Sequence, residues 1–374
     1  MSKLSAPPLP VWADVILLPI LNLLAALFVC GLIIAALGEN PFEALIVMIN
    51  GAFFYSGSLG FTLYYTTNFI FTGLAVAIAF HAMLFNIGGE GQAYLGGLGA
   101  GLVALALGGV VPALIVIPLA IMASALFGAA WAFIPGYLQA KRGSHIVITT
   151  IMFNFIAASL MVWLLAGPLI QPGQQSPQTP KFDVSTHLPT ATDFLNSFGM
   201  SVANSPLNFS FIIAIACLIL FWVIVWKTKF GYELRAVGHN SEAAHYAGIN
   251  VPRTIIIAML ISGAFAGLMA TNEILGVQHK VILNFTSGFG FTGIAVALMG
   301  RNHPVGIFLA SLLFGALFQG GAELDFEFKS ITREMILVIQ GMIILFSGAL
   351  AYMFNPYVAR LIYRVTQAKK AKHG

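Results

Sequence analysis

Between Glu43 and Lys141 the sequence carries a single ionised acid or base, Glu90. It lies in Phe85-Asn86-Ile87-Gly88-Gly89-Glu90-Gly91-Gln92, with long apolar runs on both sides. The three glycines permit an unwound backbone, and unwound backbone at membrane depth must line a cavity or be buried in protein. An ionisable group there is costly and points to function; the other reading is a tight, solvated turn. Asn86, Glu90 and Gln92 together offer donors and acceptors to a polar, uncharged solute. Thr150 and Asn154 stand one helical turn apart, on one face. They either line the same pathway or bond a neighbouring helix. Glu273, beside Asn272, is a second pathway group or an interfacial one. His81 reads as a satisfied packing residue, although with Glu90 it is the one seed for an ion or proton site.

A second polar constellation runs from Lys227 to Arg253, KTKFGYELRAVGHNSEAAHYAGINVPR, between two apolar runs. It is richer in charge than a chain reversal needs. Asn240 or Ser241 can cap a short helix, because a side-chain oxygen there accepts from the free N–H groups of the first turn. Glu242 then sits where the helix dipole favours a carboxylate. Ala243 and Ala244 favour helix, and Gly248 is a natural stop. The expectation is a short helix lying on the membrane face, available to a soluble partner.

Other chemistries find no foothold. There is no GxxxxGK[ST] motif to cradle ATP phosphates, no HExxH or GxSxG, and no His/Cys cluster for a metal. Cys30 and Cys217 both fall inside apolar runs and read as packing residues. No transmembrane ladder of paired charges suits an ion-driven carrier.

The elements that must position these residues are membrane helices. Of 374 residues, 59% are hydrophobic and 8% charged, whereas soluble domains carry about 25% charged residues. The expected fold is an all-α polytopic membrane protein, a single transmembrane domain over 1–374. Ten spans are predicted, near residues 14–37, 66–85, 93–107, 112–138, 146–166, 208–226, 254–276, 287–300, 305–320 and 335–354. Residues 1–13 form an N-terminal segment with no cleaved leader, 167–207 a long polar loop, 227–253 the helix-bearing loop and 355–374 a basic tail. Residues 42–65 span, dip or lie flat.

With the N-terminus inside, Lys3, Lys141, Arg142, Lys227, Lys229, Arg235, Arg253, Arg301, Arg360, Arg364, Lys369, Lys370 and Lys372 are cytoplasmic, and Lys181, Lys280, Lys329 and Arg333 are external. This bias toward one side favours both termini inside and an even number of spans. One internal echo is present: Phe71-Thr72-Gly73-Leu74-Ala75-Val76-Ala77-Ile78 resembles Phe291-Thr292-Gly293-Ile294-Ala295-Val296-Ala297-Leu298.

Glu242-Ala243-Ala244 followed by Gly248 resembles the EAA loop of ABC-importer permeases, without the Ile-x-Leu-Pro of its fullest form. Together with Phe85–Gln92, Ile148–Asn154, Gly231–Gly238 and Gly293–Asn302, it makes the chain resemble, over about residues 61–348, permeases for nucleosides, simple sugars and branched-chain amino acids. NIGGEGQ and ELRAVGHNSEAAHYAGI are most similar to the purine-nucleoside branch. The resemblance implies a pore subunit of type II-like architecture in a bacterial inner-membrane importer. Gly238, Asn240, Glu242, Ala243, Ala244 and Gly248 would couple it to an ATPase. It also implies a second related permease in a heterodimer, two ATPase subunits or one tandem ATPase holding ATP–Mg, and an extracytoplasmic solute-binding protein. This chain itself would bind no cofactor, metal or nucleic acid and would not be an enzyme. The alternatives that stay open are a sugar or branched-chain amino-acid permease, an ion-driven secondary carrier, and a passive channel or structural membrane subunit.

Overall fold

The computed structural model describes residues 17–346 except 201 and 329, together with 10, 13, 358–360 and 362–363. Most of the N-terminal segment, residues 347–354 of the tenth run and most of the basic tail lie outside the described residues. Fourteen α-helices are described: α1 Leu18–Ala36, α2 Pro41–Phe53, α3 Ser58–Phe80, α4 Gly89–Leu107, α5 Ala113–Arg142, α6 Ile146–Ala166, α7 Ala191–Ser197, α8 Ser210–Lys227, α9 Lys229–His239, α10 Ser241–Tyr246, α11 Val251–Ala270, α12 Phe289–Met299, α13 Pro304–Glu327 and α14 Arg333–Ile344. Among the described residues there is no strand, only isolated bridges Gln178–Ile282 and Thr190–Asn208.

Six of these helices are long and apolar enough to cross a membrane: α3, α5, α6, α8, α11 with its extension to Gln278, and α13. The bent pair α1–α2, turning through 118°, brings the number to seven if it counts as one span. The stretch 42–65 is therefore helical on both sides of a break at residues 54–57, and α3 begins eight residues earlier than its apolar pattern suggests. The run 287–300 becomes α12, whose 11 residues rise only about 16 Å, roughly half of a bilayer core.

The chain divides into two compact units, residues 1–50 with 320–374 and residues 51–319. In the first, α1 packs on α14, where the Cys30 thiol donates to the Ile339 carbonyl at 3.7 Å. The second unit holds all the candidate site residues. There α3 is buried along most of its length, with α11 and α12 against it, and α11 also packs on α4 and α5. The two echo octamers meet in this core: a Cβ on Gly73 would stand 2.9 Å from Val296 Cγ1, and one on Gly293 2.6 Å from Thr72.

Small residues set the α4–α5–α11 spacing, as expected where helices associate without a hydrophobic driving force. Ser124 Oγ donates to the Gly267 carbonyl at 2.6 Å. A Cβ on Gly267 would run into the Ser124 carbonyl oxygen, and one on Gly96 would lie 2.5 Å from Gly267 Cα. Gly267→Val is expected to lose at least the 1–3 kcal/mol typical of overpacking, read as a lower melting temperature in detergent. A melting point equal to that of the unaltered chain would show that the seam can open.

The polar loop 167–207 borrows its core from the helices beneath it. Phe182 and Leu188 are buried with residues of α4 and of the stretch after α11, and Thr179, Phe182 and Leu188 donate backbone N–H groups to Val281, His279 and Leu275. His279 takes a left-handed backbone (φ 53°) and stacks on His187, with ring centroids 3.6 Å apart and planes 15° from parallel. Burial, then the charges of His187 and Lys181, push the His279 pKa down. Protonation thus favours the undocked loop. Docking is fully stable above the ordinary histidine value of about 6.5 and weakens as pH falls through that value toward the lower folded one. Hydrogen exchange of residues 179–188 is expected to speed up below about pH 6.5, and His279→Gln to flatten the profile.

Candidate functional site

Asn86, Gln92, Thr150 and Asn154 converge on one loop. Between α3 and α4 the chain turns over residues 81–83 and runs without helix through 84–88; Gln92 N–H already bonds the Gly88 carbonyl at 3.0 Å, so Gly89–Gln92 form the first turn of α4 rather than an unwound stretch. Asn86, 1% exposed, accepts from the Gly88 N–H at 2.9 Å and from Gln92 Nε2 at 3.1 Å. Its own amide donates to Gln92 Oε1 at 3.0 Å and to Ser262 Oγ of α11 at 2.8 Å. Ser262 passes its proton on to the Ala75 carbonyl of α3 at 2.5 Å. From α6, Asn154 accepts from Gly91 N–H at 2.8 Å and donates to the Ile87 carbonyl at 2.9 Å, while Thr150 Oγ accepts from Ile87 N–H at 3.3 Å. The four side chains thus satisfy the polar backbone that the break in helix exposes, which a membrane interior demands.

Glu90 does something different. Its Oε1 accepts from Gly288 N–H at 2.9 Å and its Oε2 from Gly290 N–H at 2.8 Å. It therefore caps α12 from another helix, while sitting in the first turn of its own. Two helix N-termini, each with a partial positive charge, meet at one carboxylate. They leave it in opposite directions. α4 climbs past Phe285 and Val281, which lie against Gly97 and Gly101, whereas α12 runs beside α3 from Phe69 toward Gly73. Tyr94, one turn after Glu90, donates to Asn284 Oδ1 at 2.9 Å and accepts from its N–H at 2.5 Å. Glu90, Tyr94, Gly97 and Gly101 form a stripe on α4 that holds residues 281–290, where Asn284 and Ser287 are left-handed (φ 56° and 46°).

Glu273 stands apart from this group. It lies in the π-helical turn Thr271–Gln278 that continues α11, and it is 3% exposed. Tyr64 Oη donates to its Oε1 at 2.5 Å and Asn68 Nδ2 at 2.6 Å. Asn272 donates to Asn68 Oδ1 and accepts from Asn208 Nδ2, both at 2.8 Å. Tyr64, Asn68, Tyr94, Asn208 and Ser262 are site residues that sequence reasoning missed. The i, i+4 spacings Tyr64–Asn68 and Glu90–Tyr94 were the available signal.

The polar stretch 227–253 folds into two helices rather than one. α9 is capped by Thr228, which accepts from Gly231 N–H at 3.0 Å, and buries Leu234 and Val237. α10 is capped by Asn240, whose Oδ1 accepts from Ala243 N–H at 3.0 Å. Glu242, Ala243 and Gly248 are exposed, Ala244 is buried, and Tyr246 is 91% exposed. Gly238 faces inward onto His81. Among the described residues no group of three His, Cys, Asp or Glu side chains could hold a metal ion.

A family described as the branched-chain amino acid transport system permease component matches residues 58–348. The chain belongs to this permease family. The guanosine ABC transporter permease NupP of Bacillus subtilis is 37% identical over 332 residues, 88% of this chain and 92% of that one. The glucose ABC transporter permease TsgB13 of Haloferax volcanii is 35% identical over 328 residues, 88% of this chain and 86% of its own. A second guanosine permease of Bacillus subtilis, NupQ, is 29% identical over 262 residues, 68% of this chain and 78% of its own. The chain is thus a multi-pass ABC transporter permease, a transport component and not an enzyme.

Proposed function

We propose that this permease imports nucleosides across a bacterial inner membrane by alternating access. The observation that carries this reading is the likeness to a guanosine permease along 88% of the chain. The names of NupP and TsgB13 print guanosine and glucose, both polar, uncharged molecules. The polar groups buried in this chain suit such a solute: between Glu43 and Lys141 nothing but Glu90 is charged, and Glu90 is held by backbone N–H groups. Glucose is the second reading, favoured by the 35% identity to TsgB13.

In this reading Asn86, Gln92, Thr150 and Asn154 shape the pathway around the 84–88 break, and Glu90 and Glu273 fix its two ends. α10 docks on an ATPase through Glu242, Ala243 and the turn at Gly248, and ATP–Mg stays on that subunit. The bias of Lys and Arg supports the reading in which α10 and both termini are cytoplasmic and loop 167–207 is outside, facing a solute-binding protein. That B. subtilis has two matching guanosine permeases supports a heterodimeric pore with a second, related chain. Proteoliposomes carrying all of these components are expected to take up labelled guanosine on ATP addition, with unlabelled nucleosides competing and glucose and leucine not. Competition by glucose alone would replace the solute, and uptake driven by an ion gradient without ATP would replace the mechanism.

A further inference from the structure

His81 ties together three turns that are far apart in sequence. It is the C-cap of α3. Its Nε2 lies 3.1 Å from the Asn302 carbonyl, in the turn between α12 and α13 where Arg301 and Asn302 are both left-handed (φ 52° and 54°). Its ring meets Trp226 edge to face, with centroids 5.4 Å apart and planes at 87°, and Trp226 in turn reaches His303 at 5.3 Å. Its backbone carbonyl is covered by α9: a Cβ on Gly238 would collide with that oxygen and come within 3.3 Å of Ala82 Cα. α9 therefore rests backbone against backbone on the last turn of α3.

There is little slack on either side of this contact. Asn240 N–H bonds the Ala236 carbonyl at 3.1 Å, and Asn240 starts α10 by accepting from Ala243, so α9 and α10 are joined at a single capping residue. After His81 the chain turns through Met83, itself left-handed (φ 55°), straight into the loop that Asn86 holds. Packed backbone is nearly incompressible, so a shift of α9 must displace the end of α3.

We infer that His81 and Gly238 are a positioning pair that carries displacement of α10 to two places at once, the 84–88 loop and the α12–α13 turn. The inference rests on the proposed docking of α10 to an ATPase. The pair demands two properties of the residue at 81: a polar atom for the Asn302 carbonyl and a ring for Trp226. Phenylalanine supplies only the ring and glutamine only the polar atom.

The test uses the whole complex in proteoliposomes, with solute imported per ATP hydrolysed as the readout. His81→Phe is expected to lower that ratio on the order of tenfold while hydrolysis stays near that of the unaltered complex. His81→Gln, which keeps the polar atom for Asn302 but not the ring for Trp226, should recover only part of it, and Gly238→Ala should behave as His81→Phe. In parallel, Tyr246→Cys carrying a benzophenone should cross-link to the ATPase equally well in all variants. An unchanged ratio in His81→Phe with the cross-link intact overturns the inference and leaves the docking of α10 standing. A parallel fall of hydrolysis and import in both His81 variants overturns it in favour of a packing role. Absence of the cross-link in Tyr246→Cys alone overturns the docking itself, and the inference with it.

Discussion

Glu90→Ala is expected to abolish most transport while leaving solute preference among residual events unchanged. The substitution strands the Gly288 and Gly290 N–H groups at the start of α12. Hydrogen bonds to a charged group contribute about 1.5–3 kcal/mol each, and no water replaces them at membrane depth. A loss of about 3–5 kcal/mol in holding residues 281–290 corresponds to a shift of more than a hundredfold between held and released states. Glu90→Gln keeps one acceptor and should fall between the two. Uptake rates and competition profiles measured on the same proteoliposomes check this. A changed ranking of solutes with an unchanged rate would instead place the carboxylate against the solute.

The second large effect is expected at Gly248. Its φ of 83° lets α10 end in a Schellman turn, with Gly248 N–H on the His245 carbonyl at 2.9 Å and Ile249 N–H on the Ala244 carbonyl at 3.0 Å. A Cβ there meets nothing within 4 Å, so valine would fail through backbone strain and not through collision. Left-handed backbone costs residues with a Cβ about 1–2 kcal/mol, and β-branching makes it worse. Gly248→Val should therefore unwind α10 while membrane insertion and melting temperature stay unchanged, and ATP-driven uptake should fall by on the order of tenfold or more. Gly248→Asn, which tolerates this region, should restore uptake. Full uptake by the valine variant would show that the shape of α10 does not matter to transport.

What could be read in advance followed how local its causes are. α10 was legible because its cap and stop, Asn240 and Gly248, lie within nine residues of each other. α6 and α8 were legible because unbroken apolar runs fix them. α9 was not, although Phe230, Leu234 and Val237 recur at helical spacing, because charged residues dominate the stretch. The glycines at 88, 89 and 91 suggested more unwinding than occurs: glycine permits a break but does not require one, and the helix resumes as soon as Gln92 can bond Gly88. Glu90 stood out as a lone carboxylate, but its partners lie about 200 residues away, and nothing in the local pattern names them. The same holds for Glu273, whose partners Tyr64 and Asn68 come from α3.

The way the buried polar groups close on one another bears on the membrane potential. Moving one elementary charge across 100 mV changes the energy by about 2.3 kcal/mol. Among the described residues of α3, α4, α6, α8, α12 and α11 with its extension to Gln278, the only acids are Glu90 and Glu273, the only Lys or Arg are Lys227 and Arg253 at helix ends, and both carboxylates are anchored by donors from neighbouring segments. A loop held by amides and a serine hydroxyl can rearrange without carrying charge through the field. With a neutral solute, import through such a core draws its direction from ATP alone, and its rate should be the same in polarised and depolarised vesicles.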